Sequence, residues 1–117
     1  MEAGRGVRAV VCGGRDFLDQ ELVDRTLDGL GITVLIEGGA HGADRLASAW
    51  AFRNRVPCAR YKADWVTCGK RAGPIRNQQM LTEGKPGVVV AFPGGRGTAD
   101  MVRRARLAGV HVVEVKS

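Results

Sequence analysis

No apolar run in the chain approaches the ~18 residues of a membrane-spanning helix, which excludes a helical integral membrane protein. Met1 to Arg8 holds no apolar stretch of the kind that serves as a secretory signal, so a cytoplasmic protein is expected. Cysteine is sparse: Cys12, Cys58 and Cys68 are odd in number and widely spaced, which argues against a disulfide framework or a zinc site. They read as reduced thiols, and neither a metal nor a cofactor is expected. Aromatic residues number only six, which limits stacking platforms for nucleic-acid bases. Lysine is scarce as well, at four against 14 arginines. The Walker spacing is missing, because Gly69-Lys70 is followed by Arg71 and Gly84-Lys85 by Pro86. No G-x-G-x-x-G follows the first apolar run. A P-loop NTPase and an ordinary NAD dehydrogenase are therefore unsupported.

What the chain has in excess is glycine, 17 of 117 residues, about double the usual ~7%. Glycine does not build elements, so it must be building loops. The length is that of one domain, expected over 1–117 with residues 1–6 as a loose tail. The net charge of +6, carried mostly by arginine, favours anionic partners.

Short apolar runs alternate with helical patterns. Strands are expected at Val7–Cys12, Thr33–Ile36, Cys58–Tyr61, Val88–Phe92 and Val110–Val115. Asp19 caps a helix with Leu22, Val23, Thr26, Leu27 and Leu30 on one face. A second helix runs from Ala43 to Asn54, and a third opens at Gly73-Pro74, where proline is tolerated. Asp64 to Ala72 reads as irregular. A fourth helix starts at Thr98, with Met101, Val102, Ala105 and Ala108 inward. Strands separated by helices imply a parallel sheet covered on both faces. The expected fold is α/β, a Rossmann-like three-layer α/β/α sandwich on a parallel five-stranded sheet in the order 3-2-1-4-5.

In such a sheet, ligands bind beyond the carboxyl ends of the strands, at the switch point. Three strands exit there into glycine loops that feed helices: Gly13-Gly14-Arg15, Gly38-Gly39-Ala40-His41-Gly42, and Gly94-Gly95-Arg96-Gly97-Thr98 after Pro93. Bare backbone N–H groups at a helix start suit a phosphate. One such loop is a tight turn as readily as a site; three on one edge point to anion binding. Arg76 and Asn77 sit beside Met80 and Leu81 on a face expected to turn inward, where polar groups need partners. They either line a polar pocket or tie down the preceding loop. Asp44 and Asp100 lie in first turns, where a carboxylate is stabilised without any function; Arg104 is a surface partner for Asp100 at i+4. Trp65 reads equally well as a lid over a base or as a plug over the core. His41 sits on a candidate phosphate loop but reads as a surface residue, His111 carries no evident role, and Arg103, Arg104 and Arg106 read as a solvated helix face.

Cys12-Gly13-Gly14-Arg15-Asp16-Phe17, Gly38 to Asp44, Ala63-Asp64-Trp65, Ala72 to Asn77 and Phe92 to Asp100 together resemble the YspA/YpsA-related branch of the SLOG superfamily. The superfamily includes the DNA-processing Smf/DprA proteins and the LOG phosphoribohydrolases. The resemblance runs from about Val7 to Val115 and implies binding of a nucleotide or nucleotide-derived small molecule, with self-association into a homo-oligomer. LOG enzymes cleave the N-glycosidic bond of nucleoside 5′-monophosphates through P-G-G-x-G-T-x-x-E and an upstream arginine. Pro93 to Thr98 match that loop, and Arg76 matches the arginine. The glutamate position falls on Met101, with Asp100 one residue early, about 100° around a helix. The resemblance thus implies Arg76, Asp100 and Asp44 as candidate catalytic groups for a phosphoribohydrolase. Binding without catalysis would need only the glycine loops with Arg15, Arg76 and Thr98. Single-stranded nucleic acid is the third partner class, behind the small molecule.

Overall fold

The computed structural model describes residues 6–116. Residues 1–5 of the expected tail lie outside the described residues. β1 (Val7–Cys12) is flanked by β2 (Ile32–Glu37) and β4 (Val88–Ala91); β3 (Cys58–Arg60) and β5 (His111–Glu114) form the edges. The order is β3-β2-β1-β4-β5, and every pairing is parallel. α1 (Gln20–Asp28) and α2 (Ala43–Arg53) connect β1 to β2 to β3. α3 (Trp65–Cys68) and α4 (Ala72–Gly84) lead to β4, and α5 (Arg96–Leu107) leads to β5.

The two-residue period of a strand decides the layers. Ala9 and Val11 of β1 and Val88 and Val90 of β4 face one way, onto Val23, Leu27, Ala47 and Trp50 of α1 and α2. Val10, Cys12, Val89 and Ala91 face the other way, onto Met80, Leu81, Met101 and Val102 of α4 and α5. Each fully buried Val, Leu or Ile contributes about 1.5–3 kcal/mol relative to exposure. Trp50 reaches its layer with its ring and donates Nε1–H to Asp28 at 2.8 Å, so its one polar atom is satisfied.

Chain order then places the site. β1→β2→β3 winds outward in one direction, whereas β3 returns over the sheet to β4, on the other side of β1. The switch point falls between β1 and β4, where their exit loops diverge to opposite faces.

Three local expectations need correction. The segment read as irregular contains α3, capped by Asp64, which accepts the Thr67 N–H at 3.1 Å, and a 3-10 turn at Gly69–Arg71. A short polar cap is a weak signal in sequence, and four residues are too few to show a period. α5 begins at Arg96 rather than Thr98, so Arg96 and Gly97 belong to its first turn. Ala108 is exposed, not inward, because the helix ends at Leu107 and Ala108 caps it.

Candidate functional site

A cavity of about 930 Å³ opens at the switch point. The β1 exit loop (Gly13, Gly14, Arg15), the start of α4 (Gly73, Arg76, Asn77) and the β4 exit loop (Gly94 to Thr98) surround it. Asp44, Trp65 and Asp100 of the expected set also stand at its wall. Lys70, Asp16 and Phe17 also line it. Phe17 stacks at 5.3 Å, centroid to centroid, on Phe92 beneath the cavity.

The β1 and β4 loops are joined directly: the Gly14 N–H donates to Pro93 O at 2.8 Å. A Cβ on Gly14 would stand 3.0 Å from that oxygen, and one on Gly94 would overlap Thr98 Oγ1 and Gly14 N. Glycine at both positions lets the two backbones meet.

Gly38, Gly39 and Gly42 do not line the cavity. Their loop packs against the site from behind. Gly42 has φ +77°, and a Cβ there would overlap Gly14 O. The adjacent Ala43 N–H donates to the same oxygen at 3.2 Å. Only Ala40 and Asp44 of this stretch reach the cavity wall.

Asp44 is buried, with 6% exposure, and its Oδ2 accepts the N–H groups of Gly38 at 3.0 Å and Ala40 at 3.3 Å. Its Oδ1 accepts no hydrogen bond among the described residues. Burial pushes its carboxyl up to about 6, and the charge of Glu37 adds to the rise, against the two N–H donors and the Arg76 charge. Glu37, fully buried at the end of β2, accepts from Arg60 Nε at 2.6 Å and from the Gly39 N–H. It was absent from the sequence-derived site. Its signal was an acid closing a buried apolar strand just before a glycine loop, a costly position unless the carboxylate is paired.

Arg76 donates Nη1–H to Gly38 O at 2.7 Å and Nε–H to Asn77 Oδ1 at 3.1 Å. It thus ties α4 to the β2 exit loop while lining the cavity, and its hydrogen bonds do not go to the loop that precedes α4. Asn77, 4% exposed, donates Nδ2–H to Gly97 O at 3.2 Å and Asp100 Oδ2 at 3.0 Å. Asp100 also accepts from Arg103 at 2.8 Å and Arg104 at 2.9 Å. Burial alone would raise its carboxyl, but the bonds from Asn77 and Arg104 outweigh that and hold it below the ordinary value. Arg104 is half-buried rather than solvated, and donates a further bond to Gln78.

Trp65 is 49% exposed at the rim, with its ring over Gly73, and it belongs to neither core layer. It is therefore not a plug over the core. His41 is exposed and lies off the cavity. The Cys12 thiol at the cavity floor is pushed up to about 12, by burial first and by Asp44 second, which makes it inert as a nucleophile at neutral pH. Among the described residues, no group of three or more His, Cys, Asp or Glu is placed to hold a metal ion, and no helix is long and apolar enough to cross a membrane.

The arrangement is similar to known proteins at two levels. The gene 61 protein of Mycobacterium phage D29 is 37% identical over 118 residues, covering 91% of this chain and 94% of that protein. The structure of DNA processing protein A (DprA) from Streptococcus pneumoniae superposes with a TM-score of 0.77 at 18% identity. That likeness covers 97% of this chain and 51% of DprA, so the chain spans about half the length of the solved structure and shares its Rossmann-like fold. The family described as "YspA, cpYpsA-related SLOG family" matches residues 7–67, from β1 through the first two glycine loops to Thr67 in α3. With that match and a relative alike along nearly the whole chain, the protein belongs to the YspA, cpYpsA-related SLOG family.

Proposed function

We propose that the switch-point cavity binds a phosphorylated nucleotide or nucleotide-derived small molecule. The observation that carries this reading is a charge imbalance. Arg15, Lys70, Arg76 and Arg96 line the cavity, and none joins an ion pair among the described residues. Of the three lining carboxylates, Asp44 accepts backbone N–H groups and Asp100 is held by Asn77, Arg103 and Arg104, which leaves Asp16 against four cations. The surplus is cationic, and a phosphate meets guanidinium groups bidentately. Bare N–H groups at the start of α5 and the ring of Trp65 supply the remaining contacts, for phosphate and base respectively. The family and the DprA-like fold agree with a nucleotide-related role. A nucleic-acid strand ranks behind a small molecule, because these cations converge on one cavity. Calorimetric titration with AMP and with inorganic phosphate tests the reading. AMP should bind more tightly than phosphate, and no heat from either would overturn it.

Asp44 favours a second reading, hydrolysis of a nucleotide N-glycosidic bond. A carboxyl with a pKa of about 6, one free oxygen and a cavity-facing position suits a general base. Water would add to C1′ as the C1′–N bond breaks. Asp44 would take the water proton and release it to solvent, the base would leave with the bonding pair and take up a proton from solvent, and Arg76 would hold the 5′-phosphate. Asp100, fully engaged by its partners, fits this role less well. Release of adenine from AMP that rises with pH through about 6 and disappears in Asp44→Asn would support it; no release by the wild-type chain would reject it.

A further inference from the structure

We propose that the ligand of this site has two nucleotide halves joined through phosphate, the second half lying beyond the Gly94-Gly95 ridge in a neighbouring cavity between α5 and β5. The inference rests on the binding reading above and names its substrate class.

The second cavity measures about 700 Å³. It shares Pro93, Gly94, Gly95 and Thr98 with the first, so one loop is a wall of both. Each volume falls within the ~300–1,000 Å³ of small-molecule sites. A mononucleotide in the first cavity would leave the second unfilled.

The wall between them is low. Gly94 must be glycine for the fold, since its Cβ would overlap Thr98 and Gly14. Gly95 need not be: its φ is −105°, and a Cβ there would meet nothing within 4 Å. A bare backbone at that point keeps the passage between the cavities clear. Linking phosphates crossing there would lie against the first turn of α5, a 12-residue helix whose cap makes no side-chain hydrogen bond.

The lining of the second cavity matches a nucleotide in both its parts. Its floor is apolar, from Phe92, Val102 and Val115, and suits the face of a base or ribose. Its rim carries Arg103, already paired with Asp100, together with Arg106 and Lys116, and Glu114 is its one lining acid. Thr98, Val102 and Arg106 recur every four residues, forming one stripe of α5 about 12 Å long. That stripe runs from the shared wall to the far cation. Arg106 is paired with Glu114, but both are more than half exposed. Such pairs are weak, so the guanidinium can turn to the base or ribose of the second half at little cost.

Isothermal titration of the full chain with di(adenosine-5′) pyrophosphate and with AMP tests the inference, in the wild type, Arg106→Glu and Ala99→Phe. Ala99 is exposed on α5 and lines only the second cavity. The dinucleotide should bind at least tenfold more tightly than AMP. Each variant should bring the dinucleotide down to the AMP affinity and leave AMP binding unchanged, with melting curves confirming that the variants fold. Equal wild-type affinities, or variants that weaken neither ligand or weaken both alike, would overturn the second subsite. If AMP still binds in those cases, the reading of the first cavity survives. If neither ligand binds the wild type, that reading fails and the inference falls with it.

Discussion

The Gly38–Gly42 loop and the Gly94–Gly97 loop are alike in composition and opposite in surroundings. The first is pressed between Arg76, Arg60 and the carbonyl of Gly14, and Gly38 and Gly42 are buried. The second is exposed, and Cβ atoms on Gly95 and Gly97 would enter open space. Glycine serves close approach to the protein's own chain in the first loop and at Gly94 of the second, whereas Gly95 and Gly97 leave room toward the cavity. The acids beside them follow the same division. Asp44, behind the first loop, is desolvated and pushed up to about 6. Asp100, beside the second, is held low once its bonds to Asn77 and Arg104 outweigh its burial. Conformational constraint thus concentrates on one loop, while access to a ligand belongs to the other.

The largest expected effect breaks the first loop. Gly42→Val places a branched side chain at φ +77° and against Gly14 O. It should destabilise the chain by about 3 kcal/mol, the upper range for a strained backbone position. Urea unfolding measures this, and a loss under ~1 kcal/mol would show that the loop is not clamped.

The next effect separates the two acids by pH. The folded pKa of Asp44 is raised from 3.8 to about 6, so the native state holds its proton more tightly than the unfolded chain. Stability should therefore fall as pH rises from about 4 to about 6, on the order of 2–3 kcal/mol. Asp100 works in the opposite sense: its contribution is present above the unfolded pKa and is lost as pH falls through its lower folded value. Asp44→Asn should flatten the pH 4–6 slope in urea titrations and leave the acid limb in place.

Arg76 bridges the two regions, bonded to Gly38 O and facing the cavity. Arg76→Ala should lower AMP affinity about tenfold, the scale of one charged hydrogen bond. Its stability loss should be near 1 kcal/mol, because Gly38 O loses a donor. A stability loss several times larger with unchanged affinity would make Arg76 scaffold alone.

The smallest effect has the opposite sign to the first. Gly97 lies in the first turn of α5, with nothing within 4 Å of a Cβ. Gly97→Ala should stabilise the chain by about 0.5–1 kcal/mol, by reducing the freedom of the unfolded state. A destabilisation in thermal melts would show hidden packing at this turn.

Much of this molecule was legible in the order of its residues. β1 spans Val7–Cys12 as expected, and α2 differs from expectation by one residue at its end. Both are long enough to display their period. α3 was not legible: one turn has no period, and its stability depends on an Asp64 cap whose geometry exists only in the folded loop. Within the site, glycines and arginines stood out because their chemistry is local. Lys70 did not, because the 3-10 turn at Gly69–Arg71 that carries it to the cavity lies in the segment read as irregular. Glu37 lies just past the expected strand Thr33–Ile36, and the cation that pairs its buried carboxylate, Arg60, is 23 residues away.

Alternation of apolar runs with helical patterns by itself determined the layered fold, because hydrophobic period and chain connectivity act along the sequence; the strand order, which that alternation allows in more than one form, was decided by the tertiary structure. The same local chemistry marked three glycine loops at one sheet edge. Only the tertiary structure decided which loops face the cavity, because the docking of Gly42 on Gly14 depends on how β1 and β2 bring distant segments together. The separation of Asp44 from Asp100 was decided there too. A carboxyl takes its proton affinity from the burial, charges and donors around it, and those arrive from other parts of the chain.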